Sequence, residues 1–131
     1  MKIRGGTQMT QEDKELLLKD LCARLPYGVV VKDRNGVHTL TPGNTEFIDL
    51  FNGKCNIAPY LFPLSSMTEE QRKELQELHF DYISDEIFND IEFVYHYDCT
   101  HLIDWFIKNH FDYRGLIPKG LAIDATNLNI Y

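Results

Sequence analysis

The chain has 131 residues, 44% of them hydrophobic and 25% charged, with a formal net charge of −7; this size and balance suit one globular domain that buries roughly two-thirds of its unfolded surface. No window approaches the roughly 20 apolar residues of a membrane span, and the three cysteines, Cys22, Cys55 and Cys99, form neither an even disulfide set nor a C-x-x-C zinc pair. The expectation is a cytoplasmic protein without metal or other cofactor.

The charge is unevenly spread. Residues 1–67 hold eight Lys/Arg and seven Asp/Glu, a net of +1, whereas residues 68–131 hold five and thirteen, a net of −8. Asp81, Asp85, Glu86, Asp90, Glu92, Asp98 and Asp104 follow one another with no Lys or Arg between them. Such a half repels nucleic acid and favours a partner with a basic surface.

In chain order, residues 1–9 carry two positive charges with no apolar run behind them and read as a flexible leader, with Met1 and Met9 both open as starts. Residues 10–131 read as a single α+β domain. Thr10, followed by Glu12 and Asp13, caps a helix whose apolar face is Leu17, Leu18, Leu21, Cys22 and Leu25, with Lys14, Lys19 and Arg24 solvated; Pro26 ends it. Asn35-Gly36 between two β-branched runs predicts a hairpin with a type I′ turn. TEFIDLF (45–51) alternates as a third strand, and KCNI (54–57) after Asn52-Gly53 supplies a fourth. Residues 10–58 thus form a helix on a four-strand antiparallel meander.

Two prolines and no period make residues 59–67 an ordered loop. Residues 68–131 form a mostly helical acidic half. Two overlapping capping boxes, Ser66 with Glu69 and Thr68 with Gln71, open a helix with Leu75, Leu78, His79 and Tyr82 on its apolar face. Residues 83–98 fit both a helix through Ile83, Ile87, Ile91 and Val94 and a strand through Phe93, Tyr95 and Tyr97; the reading adopted is a short helix at 85–91 and then extended chain. A helix returns through Leu102, Ile103, Phe106 and Ile107, with Trp105 on its flank. Gly115 suits a left-handed helix cap, 117–120 a type I turn, and Leu121-Ala122-Ile123 one short extra strand.

No glycine-rich phosphate loop, H-E-x-x-H helix or G-x-S-x-G elbow is present, so no catalytic residue is assigned. An interaction or ligand site is expected at Tyr60 and Phe62, aromatics between prolines, together with His110, Asp112, Tyr113 and Arg114. His110 follows a helix C-terminus, which favours a cationic imidazole. Asp112 and Arg114 form an ion pair or aim Arg114 at an anionic ligand. The alternative site is His96, Cys99 and His101, a thiol near a helix N-terminus with histidine on either side.

The segments LCARLPYGV (21–29), PYLFPLSSMTEEQ (59–71) and HFDYRGLIPKGLAIDA (110–125) resemble a group of short proteins of gut-bacterial genomes, often in phage-like or mobile regions. The resemblance implies a bacterial or phage setting and an accessory role, and brings no activity, cofactor or catalytic residue. Pro118 departs from the acidic residue often found there in the group, which argues against a continuous helix through this segment.

The expectation is therefore a small non-enzymatic interaction protein, of phage or mobile-element origin, whose acidic half contacts a basic protein, without direct nucleic-acid or membrane binding. A homodimer is compatible with it. Two alternatives stand beside it: an enzyme or small-ligand binder centred on Cys99, and an acidic mimic of nucleic acid that occupies a DNA-binding protein.

Overall fold

Helix α1 (Gln11–Arg24) begins where the sequence places it: the Thr10 hydroxyl accepts from the Asp13 N–H at 3.0 Å, and Glu12 and Asp13 lie in the first turn. Its buried face differs from the expected one. Leu17, Asp20, Leu21 and Arg24 are the buried residues, at i, i+3, i+4 and i+7, while Cys22 is exposed. Arg24, expected in solvent, is fully buried because Asp20 one turn earlier neutralises it. The computed structural model describes residues 9–52, 57–78 and 100–131. Residues 1–8, residues 53–56 with most of the expected fourth strand, and the 79–99 segment with its helix-or-strand alternatives lie outside the described residues.

A one-turn 3-10 segment (Leu25–Tyr27) with Pro26 in its first turn leads into the hairpin of β1 (Val30–Asp33) and β2 (Gly36–Thr39), which pair antiparallel with Val31 opposite His38 and Asp33 opposite Gly36. The turn residues are therefore Arg34-Asn35. Positive φ falls on Gly36 (103°) and not on Asn35, so the turn is not type I′. The Asp33 carboxylate accepts from the Asn35 N–H at 2.8 Å and makes a local turn of its own.

TEFIDLF, expected as a strand, is helix α2 (Thr45–Phe51). Asn44 decides it: its Oδ1 accepts from the Phe47 N–H at 2.9 Å and nucleates the turn. Phe47 and Leu50, three apart, enter the core while Ile48 is 47% exposed, a helical spacing that seven residues of alternating sequence conceal.

The expected loop at 59–67 holds β3 (Ala58–Pro63) and a second 3-10 turn (Leu64–Ser66). β3 is the centre of the sheet. It pairs antiparallel with β1, and parallel with both β4 (Phe111–Asp112) and β5 (Ile123–Asp124). Ala58 through Leu61 are all buried, so the strand shows no alternation. Pro59 stands opposite Val31, whose own N–H and C=O face β2, and so its missing N–H takes no bond from the β1–β3 ladder. The fold is α+β with a five-strand mixed sheet, in place of an antiparallel four-strand meander.

Helices α3 (Glu69–Leu78) and α4 (Thr100–Lys108) complete the described elements. Of the two capping boxes it is Thr68 with Gln71 that forms, each backbone N–H bonding to the other's side-chain oxygen; the Ser66 hydroxyl turns back to the Pro63 carbonyl. β3 separates two cores. Leu61 joins Leu17, Leu21, Val31, Phe47 and Leu121 on one side. Phe62 packs against Leu75, Trp105, Phe106 and Phe111 on the other, as successive residues of a strand must.

Candidate functional site

β3 and β5 run parallel, and their chains leave the sheet in the same direction. Past their carboxyl ends, beside β4 and the start of α3, lies a hollow of about 170 Å³ lined by Phe62, Ser66, Thr68, Gln71, Phe111, Thr126 and Asn127. Crevices at the carboxyl ends of parallel strands are natural binding places, because the loops diverge there. Phe111 is almost completely buried and forms the floor with Phe62, their ring centroids 6.2 Å apart and tilted by 56°. Thr68, Thr126 and Asn127 are exposed, and Ser66 and Gln71 half-buried, so the polar groups stand around the rim.

Each rim residue keeps hydrogen-bonding capacity. Thr68 Oγ1 accepts from the Gln71 N–H and retains its own proton to donate. Gln71 Oε1 takes the Thr68 N–H, leaving the two amide protons. Ser66 donates to Pro63 O and Thr126 to Asp124 Oδ1, and both oxygens keep lone pairs. The Asn127 carboxamide makes no hydrogen bond among the described residues. The rim thus offers three donor groups, at Thr68, Gln71 and Asn127, and three acceptor groups, at Ser66, Thr126 and Asn127. Among the described residues that line it, none carries a charge.

Of the residues expected from sequence, only Phe62 lines the hollow. Tyr60 is buried, with its carbonyl accepting from the Tyr131 hydroxyl at 2.7 Å. That hydroxyl also accepts from the Val30 N–H at 3.0 Å. The β1–β3 register places Val30 opposite Tyr60, so Tyr131 is wedged into the ladder where a direct bond would otherwise run. Burial pushes the Tyr131 phenol up to about 12. Its ring stacks on His110 with centroids 3.6 Å apart and 8° between planes.

His110 is not the cation its place after α4 suggested. Burial, with Arg24 nearby, lowers its pKa to about 4, which outweighs the helix terminus and leaves a neutral imidazole. It also holds a φ of 64°.

The expected Asp112–Arg114 pairing is replaced by longer-range ones. Asp112 accepts from the Leu116 and Ile117 N–H groups, both at 2.9 Å, and organises the turn after it; burial raises its pKa against those two bonds. Arg114 Nε instead reaches Asp20 at 3.1 Å. Asp20 also holds Arg24 at 2.7 Å, and Arg24 Nη2 donates to the Phe111 carbonyl at 2.6 Å. Both guanidinium groups approach the Tyr113 ring, Arg24 at 5.8 Å and Arg114 at 4.7 Å from its centroid. These residues clasp α1 to the C-terminal segment. His96 and Cys99 lie outside the described residues, and His101 falls in the first turn of α4.

A second polar cluster joins the hairpin to α2. His38 Nε2 is 2.7 Å from Asp33 Oδ2, His38 Nδ1 is 3.2 Å from Thr39 O, and Asn44 Nδ2 reaches Asp33 at 3.2 Å. The Asp33 bond, then the Thr39 carbonyl, raises the His38 pKa. Burial pushes Asp33 upward, but hydrogen bonds from His38, the Asn35 N–H and Asn44 outweigh it and hold the carboxyl below its usual range. Arg34, 62% exposed, pairs with Glu46 and Asp49 at the same corner.

Among the described residues no group of three or more His, Cys, Asp and Glu side chains is placed to hold a metal ion, and no helix is long and apolar enough to cross a membrane. Compared with protein-family models, with curated proteins and with solved structures, the chain finds no match.

Proposed function

We propose that this protein is a non-catalytic binding module whose hollow past the ends of β3 and β5 receives a small uncharged group. The observation that carries the reading is the lining: an aromatic floor, a rim of hydroxyls and carboxamides with unused hydrogen bonds, and, among the described residues, no acid, base or activated nucleophile. At about 170 Å³ the hollow is well below the roughly 300–1,000 Å³ of a drug-sized pocket. Its occupant is therefore a single ring or side chain.

The acidic half supports a role in interaction with a basic partner as a companion property, since a net of −8 over residues 68–131 biases encounters by long-range attraction. Glu69, Glu70, Glu74 and Asp104, all exposed, contribute to that charge. The phage or mobile-element setting accords with the resemblance of the segments at 59–71 and 110–125.

The direct test is amide NMR of the full chain against a set of neutral fragments. Saturable shifts gathered on Ser66, Thr68, Gln71, Thr126 and Asn127 support the reading. Hits that gather elsewhere, or a turnover activity that survives when Phe62 is replaced by Ala, defeat it. A pull-down in which a bound protein is released by moderate salt tests the acidic contribution.

A further inference from the structure

We infer that the occupant of the hollow is one neutral hexose ring, lying with its C–H face on the Phe62 and Phe111 floor and its hydroxyls directed at the rim. The inference rests on the binding-module reading and narrows it by three observations.

The first is where polarity sits. Phe111, at the bottom, is buried, while the hydroxyl and carboxamide residues are the exposed ones. A side chain entering tip first would need its polar partners at the bottom and apolar walls above. This hollow has the reverse order, which suits a flat ligand with an apolar face and a polar edge.

The second is the count of spare groups. Thr68, Gln71 and Asn127 can donate, and Ser66, Thr126 and Asn127 can accept, from three separate segments around the opening. A carboxamide or phenol tip meets two or three such groups. A hexose presents several hydroxyls, each both donor and acceptor, around its whole edge. Sites built to hydrogen-bond a ligand hydroxyl discriminate strongly against ligands that lack it, because the site's own groups are then left unpaired.

The third is charge. The lining is neutral among the described residues, and it belongs largely to the half of the chain with a net of −8. A phosphorylated or acidic sugar would enter that field without a cation among the described lining residues to receive it. A neutral sugar meets no such penalty. One ring also matches the volume, whereas a nucleotide or dinucleotide exceeds it.

The test titrates the isotopically labelled full chain with the neutral methyl glycosides of glucose, galactose and mannose, with glucose 6-phosphate, and with N-acetylglutamine amide. At least one methyl glycoside is expected to shift the Ser66, Thr68, Gln71, Thr126 and Asn127 amides saturably, with no such response to glucose 6-phosphate. Two variants preserve the fold. Gln71→Glu keeps the oxygen that caps Thr68 and removes both amide protons. Asn127→Gly suits the φ of 64° and removes the carboxamide. Each should weaken the glycoside roughly tenfold, the scale of one hydrogen bond lost. Glycoside binding unchanged in both variants would overturn the inference. So would a response to N-acetylglutamine amide without any to the glycosides, which leaves the binding-module reading standing. Silence from every probe and from the neutral fragments removes both.

Discussion

Two carboxylates organise two polar corners of this molecule with nearly the same chemistry and opposite surroundings. Asp20 holds Arg24 and Arg114 where the carboxylate and Arg24 are wholly buried. Asp33 holds His38 and Asn44 at an edge where the neighbouring side chains meet water. Their histidines move accordingly. His38 beside a carboxylate is drawn toward the cation, and His110, half-buried near Arg24, is driven to the neutral base. The comparison teaches that the solvent around a charge, more than its partner list, decides what the cluster contributes.

The largest effect should come from removing the centre of the buried corner. Asp20→Ala leaves two guanidinium groups without their carboxylate and should lower unfolding free energy by about 3–5 kcal/mol, read from urea midpoints. Replacing Asp20, Arg24 and Arg114 together by Leu, Met and Met should restore most of that loss, because no buried charge then remains unpaired. If the single variant is nearly neutral, the two corners do not differ as described.

Next in size is Tyr131→Phe. It removes the hydroxyl between Val30 N–H and Tyr60 C=O and should cost about 1–3 kcal/mol if those groups stay apart. Amide exchange at Val30 should quicken specifically. A silent variant would mean that the ladder closes without the wedge.

The two histidines then predict opposite pH limbs. His110 is depressed to about 4 from an unfolded value near 6.5. Between those values the unfolded chain binds a proton that the native state refuses, so stability falls as pH drops through this window. His110→Asn, which tolerates the φ of 64°, should flatten that limb by on the order of 1–2 kcal/mol after allowance for a half-exposed ring.

His38 has the opposite sign. Its raised pKa gives a contribution fully present below about 6.5 and lost as pH rises through the folded value. His38→Gln should remove a loss of less than about 1 kcal/mol on the neutral-to-alkaline side. Equal slopes in the two variants would erase the contrast.

Local signals were legible wherever a few neighbouring residues settle the conformation. The Thr10 cap, the Thr68–Gln71 box, the hairpin and the helix through Leu102 and Phe106 are of this kind. α2 misled because seven residues alternate by accident and the decisive signal is the Asn44 carboxamide just before them. β3 misled because a strand covered on both faces has no period, and its prolines resemble loop punctuation. Arg24 misled because a charge inside an apolar stripe makes sense only when its partners are known, and one of them is the Phe111 carbonyl, 87 residues away.

The candidate site was legible in pieces only. Phe62 stood out as an aromatic between prolines, and Thr68 and Gln71 as a cap, but Thr126, Asn127 and Tyr131 carried no signal of function. What the sequence determined by itself were the starts of α1 and α3, the hairpin, the α+β class and the acidic half, because capping, turn chemistry and charge depend on near neighbours. Tertiary structure alone decided that β4 and β5 run parallel beside β3. That pairing brings residues 62–71 and 126–127 to one rim and turns His110 into a half-buried neutral base, since both outcomes depend on contacts between distant segments that no local pattern encodes.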